Sequence, residues 1–105
     1  MSTVHDTINE QVTSHPVVLY MKGTPQFPQC GFSDAAVRML QSCGIDKFFS
    51  VNVLADAAVR QGIKEYSNWP TIPQLYVNGE FVGGSDIMTE MYQAGELQQT
   101  LGIAA

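Results

Sequence analysis

The chain has 105 residues, 45% of them hydrophobic, and ten acidic against five basic side chains give it a formal charge of −5. That length accommodates one domain around one core, here residues 1–105. The acidic balance argues against a nucleic-acid partner, which a basic surface would serve. No run approaches the roughly 20 apolar residues that span a bilayer, so no membrane role is expected. The first fifteen residues lack the patterns of signal and transit peptides, which makes the cytoplasm the expected location unless a targeting segment has been removed.

Helical and strand patterns alternate along the chain, beginning with a helix. In residues 3–14, apolar side chains recur every four positions and form one helix face, which Ser2 or Thr3 would cap. Residues 17–21 are apolar without alternation, as expected of a central strand that is buried on both faces.

The second half of the chain repeats this alternation and then adds a hairpin. Residues 31–42 show helical spacing from Phe32 onward, and Gly44 marks the end of that helix. Asn78-Gly79 is a strong signal for a type I′ turn between two short strands. The remaining elements are a strand at 47–53, a helix at 55–67, strands at 74–77 and 80–82, a turn at 83–86 into a last long helix, and a short helix around Leu97 and Leu101 after Gly95.

The predicted order is α-β-α-β-α-β-β-α, which places the chain in the α/β class. A helix joins the first two strands, and such a crossover favours parallel pairing. The hairpin then contributes an antiparallel pair. The expected architecture is therefore a single domain with a four-stranded mixed sheet flanked by helices.

Cys30 lies where the loop after the first strand meets the helix of residues 31–42. The unpaired N–H groups and the positive dipole of a helix N-terminus favour a thiolate, and Lys22 across the loop adds to this effect. The alternative is a small buried hydrophobe. Cys43 closes the same helix roughly 18–20 Å away at about 1.5 Å per residue, whereas a disulfide requires Cα atoms within about 7 Å. The two thiols are therefore expected to be independent.

Three motifs carry a resemblance to a known family. They are K-G-T-P-Q-F-P-Q-C-G-F-S at 22–33, W-P-T-I-P-Q-L-Y-V-N-G-E-F-V-G-G at 69–84 and S-D-I at 85–87. In order and approximate spacing they closely resemble the monothiol glutaredoxins of the C-G-F-S type, over essentially the whole chain. The resemblance implies a thioredoxin fold that binds glutathione and holds a 2Fe–2S cluster at the interface of two subunits.

Counting thiolates is consistent with a shared cluster. An ordinary 2Fe–2S cluster needs four of them, and one chain offers Cys30 alone at the loop because Cys43 lies at the far end of the helix. Two chains and two glutathione molecules would complete the set. We therefore expect a cluster-bridged homodimer in which Cys30 is both the metal ligand and the candidate catalytic thiol.

The resemblance also implies which residues hold glutathione. Lys22 and Arg60 are expected at the carboxylate of its glycine end, and the backbone of Ile72 is expected to pair with its cysteine moiety. Ser85 and Asp86 are expected at the γ-glutamyl end, where helix N–H groups take the carboxylate and Asp86 takes the ammonium group.

Two positions depart from the family pattern. Ile72 stands where related sequences often have phenylalanine, and Ser85 where some have cysteine; both roles rest on the backbone, so little effect is expected. Pro73 is expected to be cis, as in the family. Trp69 and Tyr66 are interpreted as packing residues rather than ligand contacts.

Each of the charged residues also has a purely structural interpretation. Lys22 could be a solvated charge on the loop, and Arg60 and Lys64 could form an exposed helix face. Asp86 suits the first turn of a helix on dipole grounds alone.

Two functions are compatible with these residues. The preferred one is a carrier that delivers a 2Fe–2S cluster to apo iron–sulfur proteins, as a homodimer or, by resemblance, with a BolA-like partner. The alternative is a glutathione-dependent thiol–disulfide oxidoreductase that removes glutathione from protein thiols through Cys30. Ser33 stands where a second cysteine would resolve the mixed disulfide, so that reaction would need external glutathione. An interaction module with an inert cysteine is a third, least favoured interpretation.

Overall fold

The computed structural model describes residues 3–102, and every predicted helix and strand is present in it. The N-cap of the first helix is Thr3, whose hydroxyl accepts a hydrogen bond from the Asp6 N–H at 3.1 Å, while Ser2 lies outside the described residues. No helix in this range is long and apolar enough to cross a membrane. The elements are α1 (Val4–Ser14), β1 (Val17–Met21), α2 (Gly31–Ser42), β2 (Phe49–Asn52), α3 (Ala57–Ser67), β3 (Gln74–Val77), β4 (Glu80–Gly83), α4 (Ser85–Gln93) and α5 (Glu96–Thr100).

The four strands form one mixed sheet with the order β2-β1-β3-β4. β1 pairs in parallel with β2, as the crossover predicts, and antiparallel with β3. β3 and β4 form the predicted hairpin, in which Asn78 (φ 52°) and Gly79 (φ 82°) make the turn. All five residues of β1 are buried, which confirms the prediction of a central strand.

Helices cover both faces of the sheet, because successive side chains of a strand point to opposite sides. One core cluster joins β1 to α2 and α4, and the other joins β1 to α1 and α3. Their fully buried members include Leu19, Met21, Leu40 and Met88 in the first cluster, and Val18, Tyr20, Ile8, Val12 and Ile63 in the second. The loop of residues 22–30 connects the C-terminal end of β1 to the N-terminus of α2, and these two ends lie close together at one end of the sheet.

Three sequence expectations were wrong in detail. β2 starts at Phe49, so this strand is shorter than the predicted 47–53. α3 starts at Ala57 rather than 55, because the Asp56 carboxylate caps the helix by accepting hydrogen bonds from its first N–H groups. Phe32 is 61% exposed instead of lying on the apolar face of α2. The buried face of that helix consists of Ser33, Ala36, Val37 and Leu40.

Candidate functional site

Cys30 is the N-cap of α2 and a free, partly exposed thiol. Its pKa lies below the ordinary value, and the largest cause is the nearby backbone N–H group of Ser33. The Phe32 N–H, the charge of Lys22 and the Ser33 hydroxyl act in the same direction, whereas burial opposes them. This direction agrees with the prediction that the helix terminus favours the thiolate.

The loop before Cys30 folds back on itself. The Gln29 N–H donates to the carbonyl of Lys22 at 2.9 Å, and backbone hydrogen bonds join Thr24 and Phe27 in both directions at 3.2 and 3.0 Å. The base of the loop is held by Asn52 at the end of β2, whose Oδ1 accepts from the Gly23 N–H at 2.9 Å. The sequence reasoning missed Asn52. Its available signal was a turn-forming amide at the end of an apolar strand.

Ser33 has a structural role in addition to standing where a second cysteine would be. Its side chain is fully buried, and its Oγ accepts a hydrogen bond from the backbone N–H of Lys22 at 3.1 Å. This bond ties the first turn of α2 to the start of the loop. Ser33 thus fixes the position of Lys22 relative to Cys30.

A cavity of about 440 Å³ opens beside the Cys30 thiol. Five of the six predicted site residues line it, namely Lys22, Cys30, Ile72, Ser85 and Asp86. The rest of the lining comes mainly from the 69–73 loop and the start of α4: Phe32, Lys64, Trp69, Pro70, Thr71, Pro73, Gly84 and Ile87. The structure therefore brings together residues that are up to 64 positions apart in the chain, counting from Lys22 to Asp86.

Two lysines, and not Arg60, provide the positive charge of the cavity lining. Lys64 follows Arg60 by one helical turn on α3 and lines the cavity together with Lys22. Among residues 3–102, Arg60 does not contribute to the lining and is exposed. Its role at a ligand carboxylate stays a prediction. From the sequence, Lys64 was as compatible with an exposed helix face as with a place at the site.

The 69–73 loop forms one wall of the cavity. The Ile72–Pro73 peptide bond is cis, as predicted. Trp69, which the sequence reasoning assigned to packing, lines the cavity and is 36% exposed, although its ring also lies 5.8 Å from that of Phe81. A Cβ atom at Gly84 would lie 3.2 Å from both the Trp69 Nε1 and the Pro73 carbonyl oxygen. The absence of a side chain at Gly84 thus lets the start of α4 approach this wall closely.

The N-terminus of α4 adds backbone donors to the cavity. Its N-cap is Gly84, which has no side chain to satisfy the first N–H groups of the helix. Ser85 and Asp86 follow in the first turn. The lining thus combines two ammonium groups, one carboxylate and a helix N-terminus, which suits a ligand that carries both carboxylates and an amine.

Cys43 is separate from this site. It is the C-cap of α2, its side chain is buried, and burial raises the pKa of its thiol. Both cysteines are free, as expected of independent thiols. In the described part of the chain, no group of three or more His, Cys, Asp or Glu side chains could hold a metal ion.

Comparisons with known proteins found relatives of this chain. The family model described as Glutaredoxin matches residues 17–82. The chain is 63% identical over 97 residues to the ycf64-like monothiol glutaredoxin of Synechocystis sp., with 92% of this chain and 90% of that protein covered.

Solved structures give the same picture. Reduced apo GrxS14 from poplar is 56% identical, with 91% of this chain and 87% of that chain covered and a TM-score of 0.78. The buckwheat glutaredoxin–glutathione complex is 19% identical, with 96% and 93% covered and a TM-score of 0.83, a likeness that concerns the fold alone. These similarities confirm the thioredoxin fold predicted from the sequence.

Proposed function

Since the chain belongs to the glutaredoxin family, and within it to the monothiol glutaredoxins, we propose that it binds glutathione beside Cys30 and carries a 2Fe–2S cluster shared by two subunits. The observation that carries this proposal is the position of one thiol with a lowered pKa at the mouth of a cavity lined by Lys22 and Lys64. The cluster is the cargo of the protein, destined for apo iron–sulfur proteins. The partner subunit is a second copy of the chain or a BolA-like protein.

The cavity has the chemistry that glutathione requires. Glutathione has two carboxylates, one ammonium group and one thiol, and about 440 Å³ lies in the usual range of small-ligand pockets. Lys22 and Lys64 offer positive charge for the carboxylate of the glycine end. Arg60 is still predicted to help bind this carboxylate. The uncapped N-terminus of α4 suits the γ-glutamyl carboxylate, and Asp86 suits the ammonium group. Glutathione is the ligand of the buckwheat glutaredoxin structure.

The residues present fit half of a cluster site. Cys30 supplies one accessible thiolate, and Cys43 is buried at the opposite end of α2. Four thiolates are needed for an ordinary 2Fe–2S cluster, so two chains and two glutathione thiolates complete the set. Phe27 and Phe32, which flank Cys30 in the chain, are 73% and 61% exposed. A second subunit over Cys30 would cover this apolar surface.

Anaerobic reconstitution tests the proposal. Protein supplied with iron, sulfide and glutathione is expected to become brown and to elute from a sizing column as a dimer. Cys30→Ser is expected to stay colourless and monomeric, whereas Cys43→Ser is the matched control and should behave as the parent protein. Reconstitution without glutathione should fail. A coloured, dimeric Cys30→Ser variant would refute the assignment of Cys30 as ligand.

A second function is favoured by the same lowered pKa. The Cys30 thiolate can attack the glutathione sulfur of a protein–glutathione mixed disulfide, which releases the protein thiol and leaves glutathione bonded to Cys30. A second glutathione then attacks that disulfide, so that oxidised glutathione leaves and the thiolate is restored. Ser33 cannot perform this second step. A colourless monomer that turned over such mixed disulfides rapidly would make this activity the preferred function.

The cytoplasmic location stays a prediction.

A further inference from the structure

Gln74 is a fully buried polar side chain that the function described so far does not use. It is the first residue of β3, and Gln74 and Ser33 are the buried polar side chains of residues 3–102. The Gln74 Nε2 donates two hydrogen bonds, to the carbonyl oxygens of Trp69 and Thr71, each at 3.1 Å. Both of these residues line the cavity. The buried Gln74 amide thus links two residues of the cavity wall, Trp69 and Thr71, from the interior of the protein.

The 69–73 loop makes few other hydrogen bonds that could hold its shape. It contains Pro70 and Pro73, which have no N–H group, and none of its residues lies in a helix or strand. Trp69 is attached at its N–H, which donates to the Lys64 carbonyl and to the Ser67 Oγ, both at 3.1 Å. Within residues 3–102, no backbone hydrogen bond holds Ile72. Beyond Trp69, the loop is held by the buried Ile72 side chain and by the hydrogen bonds of the Gln74 amide.

We propose that Gln74 is a positioning residue of the ligand site. Its amide holds the main chain of residues 69–73 so that the Ile72 backbone is presented to the cavity. The inference rests on the proposed function, in which that backbone pairs with the cysteine moiety of glutathione. The Gln74 Oε1 is buried without a hydrogen-bond partner in the structure. The two N–H donors therefore account for the role of this side chain.

Gln74→Met is the direct test, because methionine has a similar volume and no donor. Gln11→Met is the matched control. The Gln11 Oε1 accepts a hydrogen bond from the hydroxyl of the buried Tyr20 at 2.7 Å, so this variant also loses one glutamine side-chain partner. Gln11 lies on α1 and does not line the cavity. Folding of both variants is checked by urea denaturation.

Two readouts separate positioning from a general loss of stability. The first is the affinity for reduced glutathione, measured by calorimetry under anaerobic conditions. Gln74→Met is expected to weaken it about tenfold, which corresponds to about 1.4 kcal/mol, and Gln11→Met is expected to leave it unchanged. The second is the fluorescence of Trp69, the single tryptophan. Its emission should shift to longer wavelength in Gln74→Met alone, because the loop that carries it loosens.

The outcomes are distinct for the inference and for the proposed function. Parent protein that bound no glutathione would overturn both. Parent protein and Gln74→Met that bound it equally, with unchanged Trp69 emission, would overturn the positioning role alone. If Gln74→Met does not fold, Gln74→Asn serves instead. Its amide is one methylene shorter and cannot reach both carbonyls in the same position, so weakened binding is again expected and equal binding would overturn the inference.

Discussion

Substituting alanine for Gly23 tests how tightly the loop before Cys30 is closed. Gly23 has a φ of +91°, and a Cβ atom there would lie 2.5 Å from the carbonyl oxygen of Phe27 and 2.8 Å from the backbone nitrogen of Gln29. Both are main-chain atoms of the same loop, so no side-chain rotation relieves the overlap. Gly23→Ala must therefore open the loop.

The size of the effect follows from comparison with a second glycine. Gly44 has a φ of +83°, but nothing lies within 4 Å of a Cβ atom built there. Gly44→Ala therefore measures the conformational term alone, about 1–2 kcal/mol. Overpacking costs a further 1–3 kcal/mol, roughly, so Gly23→Ala is expected to lose about 2–5 kcal/mol of the free energy of unfolding. For a domain of this size, each 1 kcal/mol lowers Tm by about 4–8 °C.

Urea denaturation followed by circular dichroism measures both losses. A second readout is the pH dependence of Cys30 alkylation. Opening the loop moves Lys22, whose charge lowers the pKa of Cys30, so alkylation should shift to higher pH in Gly23→Ala and stay unchanged in Gly44→Ala. Equal losses of stability in the two variants would refute the close approach of the loop backbone to Gly23.

Three other predictions each depend on a single group. Lys22→Met raises the pKa of Cys30, since the lysine charge favours the thiolate, and Cys30 alkylation shifts to higher pH. Thr3→Ala removes the hydroxyl that accepts the Asp6 N–H and lowers the free energy of unfolding by about 1 kcal/mol, measured in urea. Burial raises the pKa of Tyr76 to about 12, against about 10 in the unfolded chain. The stability that this tyrosine contributes is complete below pH of about 10 and is lost towards pH of about 12, so urea midpoints fall across that window and fall less steeply in Tyr76→Phe.

Each of these predictions has a control and a contradicting result. Lys47→Met removes a lysine that does not line the cavity, and an alkylation profile that moved equally in both lysine variants would exclude a local charge effect. Thr13→Ala removes a hydroxyl that donates within α1 to the Asn9 carbonyl; if it cost as much as Thr3→Ala, the cap would have no special role. An unaltered alkaline slope in Tyr76→Phe would show that other groups cause it.

Much of the fold was predictable because its signals are local. The unbroken apolar run of β1, the Asn78-Gly79 turn and the glycine at the end of α2 are each defined by a few consecutive residues. The same holds for the Cys30 thiolate, since the N–H groups that stabilise it belong to Phe32 and Ser33, its near neighbours in the chain. The bounds of β2 and α3 were less accurate, because a strand end depends on its partner and a helix start on its cap.

The sequence could not show which of the two residues, Arg60 or Lys64, lines the cavity. The two side chains share one face of α3 and differ by about 6 Å along the helix axis. The cavity meets the helix at Lys64 because the chain turns back at the end of α3, where the Trp69 N–H donates to the Lys64 carbonyl. That turn is a tertiary arrangement. The pattern of charges on an isolated helix contains no record of it.

The sequence by itself determined the order of the elements, the family and the position of Cys30 at the N-terminus of α2. The tertiary structure alone decided which polar side chains are buried behind the site. Ser33 lies on α2 and Gln74 is the first residue of β3. Serine and glutamine are mostly exposed in proteins, so the burial of these two side chains could not be predicted from the sequence. The Ser33 bond to Lys22 joins the first turn of α2 to the end of β1, and the Gln74 bonds to Trp69 and Thr71 form only when the 69–73 loop bends back towards the start of β3.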